Sequence, residues 1–382
     1  MARKLESWER EPLWMRALTP FLEARRFPVM PENPEHGRWY RFYPDGAVSG
    51  NGEPMFADVR LGTENKLLVF FSGGGVSIDE YTAARPASLY MRDKTDMFYT
   101  TRLDLFADFV TRAGVLDDHP DNPFRDWTKV VLTYGTGDFH VGTKDFPYTA
   151  LDGSARVLRH HGYTNYRAVL EAVTRWVPEP DDLLVAGCSA GAWGAALLAD
   201  DVIGLFPECA RITCCVDSGL GIKADWGRIV EDVWGAPEEI RARLRGSDMV
   251  SDSLAALHRD HGDRVEILYA SSTRDAELSR MQDYLDGDGF EHTRRAGERF
   301  EGDLRRVSAE LVERIPRIGL YFFDTPDRVH KRLGLTKHCV IADAGFHRTG
   351  SDGIAPREWL KRTVFGRDPQ RVGLDLLATS SA

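Results

Sequence analysis

The run Lys66-Leu-Leu-Val-Phe-Phe71 is apolar on both of its faces, the pattern of a central strand covered on each side. Before it, shorter runs over 39–43 and 54–60 read as strands, separated by the turn-forming stretch Pro44-Asp-Gly-Ala-Val-Ser-Gly-Asn-Gly52. After it, strand-like and helix-like stretches alternate: a strand over 129–133, a helix over 165–177, a strand over 183–186 and a helix from Ala192. The helix over 165–177 puts Tyr166, Val169, Leu170, Val173 and Val177 on one stripe, with Thr164 or Asn165 placed to cap its start. Further strands fit 212–216, 265–270 and 318–323. Strand, helix, strand in succession predicts an α/β fold with a mostly parallel central sheet and helices on both faces.

Two charged, helix-rich stretches, roughly 222–262 and 276–316, interrupt this rhythm and read as helical insertions at the sheet's edge or as a cap over a site. Residues 1–37 are charged and proline-dotted, with amphipathic pieces such as 14–22, and read as an N-terminal arm packed on something larger. With no internal repeat, heptad seam or low-complexity tail, the expectation is one domain over 1–382.

Charge and cysteine usage narrow the partners. The 59 acidic and 49 basic side chains leave a net charge of −10, which disfavours nucleic acid and anionic membrane surfaces, since both are bound through surplus Lys and Arg. The longest uncharged run, 183–199, is shorter than the roughly 20 residues of a bilayer span and is broken by glycines. Charges interrupt every apolar stretch near Met1, so no secretory h-region forms and a cytoplasmic location is expected. The five cysteines, Cys188, Cys209, Cys214, Cys215 and Cys339, form no C-x-x-C pair and are expected as free thiols. His160-His161 lacks carboxylate or cysteine partners at ligand spacing, so neither metal nor cofactor is expected.

The candidate chemistry centres on Leu183-Leu-Val-Ala-Gly-Cys-Ser189-Ala-Gly191, a strand feeding G-x-S-x-G that opens onto a helix. A strand can reverse into a helix within one residue only where its neighbours lack bulky Cβ groups, and the residue at the apex, Ser189, is then held strained with its side chain exposed. The bland alternative is a tight turn in which Ser189 merely caps the helix. Ser72-Gly-Gly-Gly75, directly after the apolar strand, is a loop whose amides can turn toward a ligand; Gly74, Gly75 and the amide of Ala190 are the candidate oxyanion donors. For this architecture the base and its carboxylate follow the serine in the order Ser, Asp or Glu, His. Order leaves His292, His330, His338 and His347; the first two lie in charged stretches and read as solvated, and spacing does not separate His338 from His347. Asp217, Asp275 and Asp324 each lie just beyond a predicted strand, where the acid belongs.

The set Phe71-Ser-Gly-Gly-Gly75, Gly187-Cys-Ser-Ala-Gly191 and Asp217-Ser-Gly219 resembles the pectin acetylesterase family, which includes the animal carboxylesterase Notum. Asn122-Pro-Phe, Trp127, Val130-Val-Leu and Thr133-Tyr-Gly-Thr-Gly-Asp-Phe-His-Val-Gly142 extend the likeness, which runs from about Trp39 to Trp359. The resemblance implies an α/β-hydrolase-like fold and a Ser-Asp-His triad that removes acetyl or longer acyl groups from oxygen. Carried over residue by residue, it places the nucleophile on Ser189, the acid on Asp275 in Thr273-Arg-Asp-Ala-Glu277, and the base on His338 in His-Cys-Val-Ile341, with His347 a noncatalytic histidine downstream. The family commonly has Trp and Cys after the triple glycine; here Val76 and Ser77 alter the acyl-pocket wall. Secreted relatives are rich in disulfides whose cysteines this chain lacks.

Around this core, Val76 and the loop residue His140 are candidates for substrate contact, His140 also being suited to a packing role; Asp79 and Arg85 either line the entrance or pair on the surface; and Trp226 and Trp234 either form an aromatic lid or anchor their stretch. The expected function is hydrolysis of an O-acetyl or other O-acyl ester of a sugar or small metabolite through an acyl-enzyme. Acyl transfer by the same triad, or an idle protein that holds an acylated ligand, are the alternatives. Acyl length, alcohol and oligomeric state are not encoded in these patterns.

Overall fold

The computed structural model describes residues 26–87, 97–101 and 111–378. Most of the expected N-terminal arm, including 14–22, lies outside the described residues; of its remainder, Phe27 stacks on Trp39 with ring centroids 5.6 Å apart. The strands are β1 Trp39–Phe42, β2 Ala57–Arg60, β3 Lys66–Phe71, β4 Pro86–Ala87, β5 Tyr99–Thr100, β6 Thr128–Leu132, β7 Lys144–Thr149, β8 Ala155–His160, β9 Asp182–Cys188, β10 Arg211–Asp217, β11 Val265–Ser272, β12 Gly319–Phe323 and β13 Arg371–Val372. The longer helices are α1 Gly162–Trp176, α2 Ala190–Leu205, α3 Met249–His261, α4 Ala276–Leu285, α5 Arg294–Arg314 and α6 Pro356–Gly366.

Nine strands form one sheet in the order β1-β2-β6-β3-β9-β10-β11-β12-β13. Only β2 runs antiparallel to its neighbours, β1 and β6; the other pairings are parallel. Alternation along a strand sends successive side chains to opposite faces, and β3 divides accordingly. Leu67, Val69 and Phe71 join the larger core, with the apolar stripes of α1, α2, α3 and α5. Leu68 and Phe70 join the smaller one, with Trp127, Ile341 and the α6 residues Trp359 and Leu360. All six residues of the predicted central strand thus lie in the sheet with both faces covered.

Three local expectations shift. The helix predicted over 165–177 starts earlier, at Gly162, so Asn165 does not cap it. Instead its amide clamps the turn before β2, accepting from Val48 N–H at 3.1 Å and donating to Val48 C=O at 2.7 Å. The stretches near 222–262 and 276–316 lie in the connections from β10 to β11 and from β11 to β12, adjacent parallel strands, and so act as crossovers that supply α3, α4 and α5. The antiparallel hairpin β7–β8 has no counterpart among the predicted strands. Its Leu151-Asp-Gly-Ser154 turn carries the signal that marks it.

Candidate active site

Three parallel strands, β3, β9 and β10, lie side by side and deliver their carboxyl ends to one place. At the end of β9, Ser189 precedes α2 with φ 56° and ψ −133°, and its side chain makes no cap to the helix. A non-glycine residue there carries about 1–3 kcal/mol of strain, held by the surrounding structure. The holding bonds are Ser189 N–H to Asp217 C=O at 3.0 Å and Ala192 N–H to Ser189 C=O at 2.8 Å. The glycines flanking the serine are close-approach positions: a Cβ on Gly187 would strike the carbonyl of Gly191, and one on Gly191 the carbonyl of Phe71.

The loop after β3 closes over the serine. Gly73 leaves no room for a side chain, since an added Cβ would come within 2.5 Å of Ser189 Cβ. Gly75 has φ +78° and is tied to the segment at β5 by Val76 N–H to Phe98 C=O and Thr100 N–H to Gly74 C=O, both 2.8 Å. These bonds use the loop's other groups and leave the N–H groups of Gly74 and Gly75, like that of Ala190 at the first position of α2, without an acceptor among the described residues. All three residues line a cavity of about 490 Å³ together with Ser189 and His338.

Asp275 stands just past β11 as the N-cap of α4, fully buried. Its Oδ1 accepts from the N–H groups of Glu277 and Leu278, each at 3.0 Å. His338 Nδ1 lies 2.9 Å from Oδ1 and 2.8 Å from Oδ2. A carboxylate only accepts, so Nδ1 bears the proton and Nε2 is the basic nitrogen; Nε2 is buried and has no hydrogen-bond partner among the described residues. Burial alone would depress the imidazole, but the adjacent Asp275 carboxylate and its hydrogen bond, with Glu277 nearby, outweigh it and raise the pKa to about 9.

The turn that carries His338 is held by Asp217. The Asp217 Oδ2 accepts from Val340 N–H at 2.6 Å and Ile341 N–H at 2.8 Å, while its main-chain carbonyl holds Ser189. One residue therefore braces both sides of the cavity. Burial raises its carboxyl to about 6, against these stabilising bonds. Cys188 and Cys339, neighbours of the serine and the histidine in sequence, meet beside the cavity as free thiols, and burial pushes Cys339 up.

The structure thus brings Ser189, Gly74, Gly75, Ala190, His338 and Val76 to one cavity, with Asp275 buried against His338 outside its lining, and sends other candidates elsewhere. His140 does not line the cavity: it is buried behind the glycine loop, Nε2 on Ser72 C=O at 2.9 Å, where burial lowers it to about 4. Its neighbour Phe139 reaches the cavity instead. His347 pairs with Asp117 at 2.8 Å and packs on His119. Asp324 is exposed beyond β12. His292 and His330 are not solvated as expected but stack at 3.7 Å, paired with Glu277 and Asp327. Asp79 caps a short helix and receives Tyr284 O–H at 3.1 Å, and Arg85 lies over the Tyr81 ring. Trp226 and Trp234 are buried anchors, the latter donating to Ser77 C=O at 2.7 Å. Glu277, which lines the cavity and accepts from Arg280 at 2.5 Å, is absent from the sequence-derived candidates; its place two residues after the acid is the signal. Among the described residues, no three His, Cys, Asp or Glu side chains converge where a metal could sit.

A mostly parallel sheet with helices packed around it and a strained serine on the strand-to-helix bend defines an α/β-hydrolase-like protein. Residues 58–227 match the pectinacetylesterase family, which bears out the resemblance carried by the glycine loop and the elbow. That family implies carboxylic ester hydrolase activity. Asp275 and His338 lie beyond the matched stretch.

Proposed function

We propose that the chain hydrolyses O-acyl esters of a sugar or small metabolite through a Ser189-Asp275-His338 triad and a covalent acyl-enzyme. The observation that carries this is the pairing of buried Asp275 with half-buried His338 at 2.8–2.9 Å, the Nε2 of His338 being without a hydrogen-bond partner among the described residues, at a cavity lined by His338 and the elbow serine. In this reading His338 Nε2 takes the Ser189 proton as Oγ adds to the ester carbonyl. The oxyanion is received by the amides of Gly74, Gly75 and Ala190, each such donor contributing about 3–4 kcal/mol. The alcohol departs with the proton from Nε2; a water, deprotonated by the same nitrogen, then releases the acid and restores Ser189.

The test is p-nitrophenyl butyrate turnover with fluorophosphonate labelling. A burst of about one nitrophenolate per chain and a label on Ser189 are expected, both lost in Ser189→Ala. Undiminished turnover by Ser189→Ala rules the mechanism out.

A further inference from the structure

The histidine beneath the glycine loop is held more firmly than packing alone requires. His140 has φ 67° and follows Phe139 at φ 52°, two successive non-glycine residues in the left-handed region, a conformation that persists only where the surroundings impose it. Asp138 holds the bend: its Oδ1 accepts from His140 N–H at 3.1 Å and its Oδ2 from Gly162 N–H at 2.7 Å. The ring packs on Phe71 and Tyr134, with centroids 5.1 and 4.7 Å away. On the side of α2, Gly194 leaves it room, since a Cβ there would come within 2.8 Å of His140 Cδ2.

The imidazole so placed completes a ladder that the sheet leaves unfinished. Ser72, one residue past β3, donates its N–H to Leu132 C=O at 3.1 Å. In a continued parallel pair, the N–H two residues beyond Leu132 would donate to Ser72 C=O, but β6 ends at Leu132. His140 Nε2 lies 2.9 Å from that carbonyl instead. A carbonyl only accepts, so Nε2 bears the proton, and burial, which lowers the pKa to about 4, leaves the ring neutral near pH 7. In a planar trans peptide the C=O and N–H are opposed, so fixing the Ser72 carbonyl also fixes the direction in which Gly73-Gly74-Gly75 sets out. The far end of this loop is tied to Phe98 and Thr100, and His140 ties the near end. Resting on the oxyanion role given above to Gly74 and Gly75, we propose that His140 is a positioning residue which, through the Ser72 carbonyl, aims the loop amides at the oxyanion without touching substrate.

The experiment compares wild type with His140→Phe, which keeps the bulk without a donor, and His140→Gln, which keeps a donor at similar reach. Turnover of p-nitrophenyl butyrate is read together with inhibition by a trifluoromethyl ketone, whose adduct with Ser189 carries the oxyanion. In His140→Phe kcat should fall about 100-fold, inhibition should weaken by the same factor, and KM should stay within about threefold. His140→Gln should recover at least about tenfold of that loss. A change in KM alone, an unchanged kcat in folded His140→Phe, or equal losses in the two variants overturns the role. If His140→Phe does not fold, His140→Met, flexible and without an N–H donor, takes its place. Fluorophosphonate labelling separates the layers: wild-type Ser189 labelled, with kcat indifferent to the loss of the donor, removes only the positioning role, whereas a wild type neither labelled nor turning over removes the hydrolase reading beneath it.

Discussion

Asp275 serves two structures at once, orienting His338 and capping α4 with the same carboxylate. Asparagine caps a helix about as well as aspartate but fails to hold the imidazole in the required tautomer. Asp275→Asn should therefore lower kcat by about 10³–10⁴ while the thermal midpoint moves little; parallel losses of both would show a purely structural role. In the proposed mechanism the imidazole must be neutral to act as base, so kcat/KM for a short-chain ester should rise with pH through the raised pKa of His338, near 9. A plateau already reached at pH 7 would contradict this. Asp217 offers the contrasting case, since its carboxylate accepts from Val340 and Ile341 but touches no cavity wall in the role proposed. Asp217→Ala strands two buried N–H groups at about 1–3 kcal/mol each, so chemical denaturation should register about 3 kcal/mol lost along with activity.

At the scale of elements, the elbow spends stability on geometry. Ser189 holds φ 56° between a central strand and a helix that cannot shift, because Gly187 and Gly191 are already in contact with carbonyls. Ser189→Gly relieves the strain at some cost in unfolded-state entropy, and the net expectation is about 1 kcal/mol of added stability with esterase activity abolished. A destabilised Ser189→Gly would mean that the bend is not strained. The elements that sequence patterning located best, β3 and β9, are buried on both faces and so read as unbroken apolar runs. The hairpin β7–β8 escaped because half of it faces solvent and its residues alternate weakly, leaving its turn as the one strong mark. The connections after β10 and β11 looked like insertions because charged exposed faces dilute their apolar stripes, although those stripes complete the larger core.

Across the whole molecule, two bases, half-buried His338 and buried Lys129, pull stability in opposite directions with pH. His338 has a folded pKa near 9, above its ordinary 6.5, so its contribution is full below pH 6.5 and is lost as pH rises toward 9. Lys129, inside the sheet with its ammonium on the carbonyls of Leu116 and Asp117, is lowered by burial to about 7. The unfolded chain then binds more protons between pH 7 and about 10, and stability from this group rises with pH. Between pH 7 and 9 the two slopes oppose each other. Denaturation midpoints should therefore fall with pH in Lys129→Met and rise in His338→Gln over that interval; identical slopes in both variants would show that neither group governs it.

The sequence by itself determined the parallel sheet, the serine on its bend and the glycine loop beside it, because each is written in contiguous residues whose periodicity or lack of Cβ dictates local backbone. It left the acid open among Asp217, Asp275 and Asp324 and the base open between His338 and His347, with family resemblance favouring one of each. Those residues stand 63 positions apart in the pair that forms, Asp275 and His338, and no local pattern reports on a contact across that distance. Only the tertiary structure decided which carboxylate meets the imidazole, placed Asp217 as a brace and His140 behind the loop. Strand order sets which ends converge, and convergence, unlike propensity, belongs to the folded chain as a whole.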